Sequence, residues 1–114
     1  MINYNNKRFS AVNNSNNGET SHETVFHYKQ VDSIVTAQYN GGKIIHGQLI
    51  GLVNEQGEID MRYQQVNREG KLMTGMCKSK PEILPNGKIR LHESWQWTSG
   101  DLSSGQSIIF EYQY

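Results

Sequence analysis

Apolar and polar residues alternate along most of this chain with a period of two. Leu91, Glu93, Trp95 and Trp97 fall on one face of their stretch, with Arg90, His92, Ser94 and Gln96 on the other. Ile59, Met61 and Tyr63 oppose Asp60, Arg62 and Gln64 in the same way. Successive side chains of an extended strand point to opposite faces, so this alternation predicts strands that each bury one face. No stretch of helical length carries a 3.6-residue period. Strands are expected at Arg8 to Val12, Glu23 to Gln30, Ile34 to Asn40, Lys43 to Val53, Glu58 to Asn67, Lys71 to Lys80, Lys88 to Thr98 and Ser104 to Tyr112. They are rich in the β-branched and aromatic residues that fit a pleated, half-buried surface.

Between the strands lie Gly, Asn and Asp, the residues that accept positive φ or close a turn with a side chain. Asn40-Gly41-Gly42, Asn54-Glu55-Gln56-Gly57, Asn67-Arg68-Glu69-Gly70 and Pro85-Asn86-Gly87 all read as hairpin connections. Strands joined in sequence by short loops pair as antiparallel neighbours. A meander of this size loses its exposed edges by closing on itself. The expected fold is therefore all-β: a single up-and-down antiparallel β-barrel of about eight strands, one domain over residues 1–114. Gly47 and Gly51 are expected bulge or bend sites. Asn13 to Asn17 is expected to be a mobile loop, and Lys78-Ser79-Lys80 to end a strand before a turn at Pro81.

Composition narrows the function. The chain carries 11 Lys plus Arg against 11 Asp plus Glu, and 35% of its residues are hydrophobic. Its polarity comes instead from neutral side chains, with 11 Asn, 9 Gln and 10 Ser. A balanced charge argues against nucleic acid or a membrane surface as partner, since both reward clustered Lys and Arg. No apolar run is long enough to span a bilayer. The opening Met1-Ile2-Asn3-Tyr4-Asn5-Asn6 lacks the apolar centre of a signal peptide, so a cytoplasmic location is expected. One cysteine, Cys77, makes no internal disulfide and no multi-cysteine zinc module.

The aromatic face of the seventh strand is the most informative cluster. Trp95 and Trp97 either fill the barrel or wall a ligand cavity, and Glu93 on the same face favours the cavity, because a carboxylate inside a barrel needs partners. With the apolar faces inward, the expected ligand-binding set is Tyr28, Tyr39, Tyr63, Glu93, Trp95 and Trp97, and Arg62 lies on the outer wall. His22 and His27 are five apart, which on a strand sends them to opposite faces, so no metal site is expected. Cys77 with His92 lacks an orienting group and an oxyanion hole, and a buried inert thiol is expected. Phosphate-binding loops are absent, and no cofactor is expected.

The strings Glu23-Thr24-Val25-Phe26-His27-Tyr28, Met61-Arg62-Tyr63-Gln64, Leu72-Met73-Thr74-Gly75, Arg90-Leu91-His92-Glu93 and Trp95-Gln96-Trp97-Thr98-Ser99-Gly100-Asp101 resemble a family of small bacterial avidin-like proteins. The resemblance runs from about Tyr4 to Glu111. It implies a calycin-type β-barrel and no established activity. Members often carry the label N-acetylglutamate synthase, yet this chain has no Gly-rich strand-to-helix turn to hold coenzyme A pyrophosphate. The Trp-x-Asn-x-x-Gly opening of avidins is also missing, since the corresponding region reads Asn5-Asn6-Lys7-Arg8-Phe9-Ser10, so biotin is not expected.

Three functions fit these residues. The first is a barrel that binds a small apolar or aromatic molecule. The second is a small calycin-like enzyme in which Glu93 acts as acid or base with Tyr63 or Tyr28. The third is an interaction module without a ligand, forming a homodimer if the face of Ile108, Phe110 and Tyr112 points outward.

Overall fold

Each of the eight alternating stretches forms a strand in the computed structural model, which describes residues 2–112. Met1, Gln113 and Tyr114, at the ends of the expected 1–114 domain, lie outside the described residues. The strands are β1 (Arg8–Asn14), β2 (Val25–Val31), β3 (Ile34–Gly41), β4 (Ile44–Val53), β5 (Ile59–Asn67), β6 (Leu72–Ile83), β7 (Ile89–Trp97) and β8 (Ser104–Glu111). Every strand pairs antiparallel with its sequence neighbour, and β8 returns to β1 through Ser10↔Phe110 and Ala11↔Ile109. The barrel is closed, so no strand keeps an unpaired edge along its whole length.

Turn chemistry sets the register. The β4–β5, β5–β6 and β6–β7 connections share one design, in which a glycine at φ 80, 77 and 86 (Gly57, Gly70, Gly87) donates its N–H three residues back. Asn54 and Asn67 stabilise two of these turns by accepting backbone N–H groups on Oδ1.

Burial follows the predicted alternation. On β3, Val35, Ala37 and Tyr39 face inward and their neighbours face solvent. One end of the barrel is sealed by Tyr4, which precedes β1. Its ring packs against Phe9 and Tyr28 with centroids 6.4 and 6.0 Å away, and its hydroxyl donates to the carbonyl of Gly57. Val35, Ile59, Leu91 and Ile109 complete this apolar floor.

Three local expectations are corrected. Gly47 and Gly51 hold regular register; the irregularities lie beside them, between Tyr39 and Gly41 on β3 and between Ile44 and His46 on β4. Gly47 instead provides clearance, because a Cβ there would overlap the Tyr39 ring. Strand β6 does not stop before Pro81 but pairs with β7 through Pro81↔Leu91 to Ile83↔Ile89. Pairing with β5 ends at Ser79, so the proline occupies the part of β6 with one neighbour only, where a missing N–H is tolerated. Asn13 and Asn14 belong to β1, and the loop after them is fastened down, with Asn17 Nδ2 donating to Ser103 Oγ and to the Ser104 carbonyl.

Candidate ligand-binding site

The upper half of the barrel is lined by rings seated on glycines. Cross-strand register places Tyr39 opposite Gly47, Tyr63 opposite Gly75 and Trp95 opposite Gly105. In each pair the ring lies where a glycine Cβ would project, so each ring rests against the neighbouring strand's backbone. Trp97 joins the group, with its ring centroid 5.6 Å from that of Trp95 and 5.8 Å from that of Tyr63. Phe26 stacks on Tyr39 at 4.7 Å.

The loop following β1 crosses the open end above these rings as a strap. Trp97 Nε1 donates to it at the Asn17 carbonyl, 3.0 Å away, and Trp95 Nε1 donates to Asn14 Oδ1 where β1 ends, at 3.2 Å. Glu19 is gripped from β5, where Gln65 Nε2 and Asn67 Nδ2 donate to its two carboxylate oxygens at 2.7 and 2.8 Å. Gln65 Oε1 in turn accepts the Tyr39 hydroxyl at 2.8 Å. The strap thus ends a polar chain running from its carboxylate down into the barrel wall.

Beneath the strap is a cavity of about 50 Å³. Glu93 forms part of its polar lining. The in-register neighbours of Glu93 on β6 and β8 are Ser79 and Ser107, and their hydroxyls donate to its two carboxylate oxygens at 2.8 and 3.1 Å. Glu93 is half-buried. Burial raises its pKa above the ordinary 4.5, and the hydroxyls of Ser79 and Ser107 oppose that rise without cancelling it. Burial also pushes up the phenols of Tyr39 and Tyr63, which line the cavity, and that of Tyr28 below.

A raised carboxyl pKa has a definite stability signature. This group's contribution is fully present below about 4.5 and is lost as pH rises through the folded-state value. Glu93→Gln removes that titration, so the unfolding midpoint in urea is expected to favour the variant increasingly as pH climbs above 4.5. Parallel pH profiles for the two proteins would contradict the assignment.

The residues expected from sequence separate by depth. Tyr39, Tyr63, Glu93, Trp95 and Trp97 line the cavity together. Tyr28 lies one step deeper, packed on Phe9 at 4.8 Å, with a buried hydroxyl that has no hydrogen-bond partner among the described residues. Arg62 is on the outer wall, paired with Asp60 at 2.8 Å. Cys77 faces inward, where burial pushes its thiol up, whereas His92 faces outward and contacts Glu82 through Nε2 at 2.8 Å. The barrel wall separates these two, so they form no nucleophile–base pair. Ile108 and Phe110 face outward, half-buried, with the Arg90 guanidinium 5.8 Å from the Phe110 ring centroid.

Ser79, Ser107, Gln65, Asn14 and Glu19 are further site residues that strand patterning did not single out. For the serines the signal was the face opposite Ile108 and Phe110, which reads Gly105, Ser107, Ile109, and the face shared with Cys77 on β6. Glu19 and Asn14 had none, because a loop has no period. A larger concavity, about 850 Å³, lies on the outer wall beside His27, Lys29, Gln48 and Arg62. The cavity beneath the strap is the stronger site despite its smaller volume, because aromatic rings and a few convergent polar groups line it.

A family profile described as avidin-like protein matches residues 2–112. No curated protein and no solved structure matches the chain.

Proposed function

The chain belongs to the avidin-like family, and from that premise we propose that it binds a small molecule inside the barrel, under the strap of residues 15–20. The observation that carries this reading is the cavity beneath the strap, in which aromatic rings meet a half-buried carboxylate. A barrel meant only to be filled has no use for a carboxylate that needs two serines to satisfy it. The aromatic walls suit a ligand with an apolar or aromatic body. With about 50 Å³ free, such a body enters only if the strap moves, and the strap is held by side-chain hydrogen bonds rather than by a sheet ladder.

The test is a metabolite screen read by melting temperature and tryptophan emission. A true ligand raises the melting temperature in proportion to its occupancy and changes the emission of Trp95 and Trp97. A broad screen in which no compound stabilises the barrel removes the proposal.

The catalytic alternative has less support. Glu93 spends its hydrogen bonds on serines rather than on a tyrosine, and burial pushes the neighbouring phenols away from neutral proton transfer. Self-association is proposed separately. Ile34 and Leu52 are cross-strand partners and, with Ile50, expose an apolar band on the outer face of β3 and β4, away from Ile108 and Phe110. Light scattering is expected to give a mass that rises with concentration towards two chains; a constant monomer mass rules out this dimer.

A further inference from the structure

We infer that the ligand presents a compact cationic nitrogen, a protonated amine or amidinium, to the Glu93 carboxylate while its apolar body lies against the aromatic walls. The inference rests on the ligand-binding reading above and adds the ligand's chemistry.

Three observations carry it. First, Glu93 has no cationic partner among the described residues. It accepts hydrogen bonds from the Ser79 and Ser107 hydroxyls, with the Cys77 thiol as a weak further donor, and the cavity lining contains no Lys, Arg or His. The other titratable groups facing it are the Cys77 thiol from β6, the Tyr28, Tyr39 and Tyr63 phenols from β2, β3 and β5, and the Glu19 carboxylate of the strap. None of these supplies positive charge. A carboxylate pair of oxygens offers about four lone-pair positions, and the serines occupy two.

Second, with the strap closed the donors that an anionic ligand would need are already spent. Trp97 Nε1 binds the strap, Trp95 Nε1 binds Asn14 at the end of β1, the Tyr39 hydroxyl binds Gln65, and the Gln65 and Asn67 amides bind Glu19. Third, the remaining surface is aromatic. The faces of Trp95, Trp97, Tyr63 and Phe26 attract positive charge through the ring quadrupole and disfavour negative charge. The Tyr28 hydroxyl, buried without a partner among the described residues and close enough to feel the charge on Glu93, adds one more polar atom below the same point.

Binding of a cation favours the ionised carboxylate. Since burial favours the protonated form, an amine that binds while Glu93 is protonated displaces a proton, and its affinity rises with pH until Glu93 is ionised in the free protein. The experiment uses benzylammonium, with benzyl alcohol and benzoate as neutral and anionic counterparts and methylammonium as the head group alone. Calorimetry on the whole chain at pH 4.5, where the raised pKa keeps most of Glu93 protonated, in two buffers of different ionisation enthalpy is expected to show benzylammonium binding with proton release. Benzyl alcohol and benzoate should bind at least about tenfold more weakly, a gap of roughly 1.4 kcal/mol. Glu93→Gln should lose both the preference and the proton release. Equal binding of the alcohol, stronger binding of benzoate, or amine binding unchanged in Glu93→Gln would overturn the cationic assignment while leaving a ligand-binding barrel in place. If none of the four probes binds, the cationic assignment falls. The ligand-binding reading falls with it only if the metabolite screen also fails. The proton-release measurement needs no variant, so a misfolded Glu93→Gln protein would not shield the inference.

Discussion

Trp97→Ala is expected to lower the stability of the barrel by about 3–5 kcal/mol, or roughly 10–20 °C in melting temperature. The side chain is 5% exposed and is packed between Trp95 and Tyr63, so its removal leaves a hole that two rigid rings cannot fill. It also removes the N–H that holds the Asn17 carbonyl, and so loosens the strap. Trp97→Phe separates the two effects. It keeps an aromatic body between the same neighbours and loses the hydrogen bond, at a cost of about 1–2 kcal/mol. Amide exchange in residues 15–20 should quicken in both variants, because the tie to Asn17 is absent from both. A melting temperature unchanged in Trp97→Ala would mean that the ring does not pack as described. Unchanged exchange in the strap would mean that the indole does not hold it.

Tyr4→Ala is expected to have a similar cost, about 3–5 kcal/mol, from the opposite end of the barrel. Tyr4 is fully buried although it lies outside every strand, and its ring closes the floor against Phe9 and Tyr28. Tyr4→Phe retains the ring and leaves the Gly57 carbonyl without the hydroxyl, which should cost about 1–2 kcal/mol. Urea unfolding reads both changes as shifts in midpoint. A midpoint for Tyr4→Ala within about 0.5 kcal/mol of the parent would show that the segment before β1 does not close the barrel. The two ends also differ in consequence. Opening the floor should destabilise the barrel without altering the amine preference at Glu93, whereas changes at Trp97 act on the site directly.

The elements that sequence patterning located well are those with strict alternation and glycine-bearing turns. On β3, β5 and β7 the period of two identified the inward face residue by residue, and so placed Tyr39, Tyr63, Glu93, Trp95 and Trp97 inside. It also placed Arg62 outside. Patterning was weaker where local composition has more than one structural use. Gly47 read as a bend because glycine often marks one; its actual use is to leave room for the ring of Tyr39, a residue eight positions earlier whose alignment depends on register. Pro81 read as a stop because proline cannot donate to a ladder, yet β6 outruns β5 there and needs no donor on that side.

The sequence by itself determined the number of strands, their order and the faces they bury, because side-chain alternation and turn residues are local properties of the chain. Only the tertiary structure decided what the buried faces enclose. The alignment of β6, β7 and β8 brought Ser79 and Ser107 to either side of Glu93, and barrel closure brought the Asn-rich loop and Glu19 over the two tryptophans. Those meetings join residues up to 81 positions apart, and no period along a chain encodes such a distance.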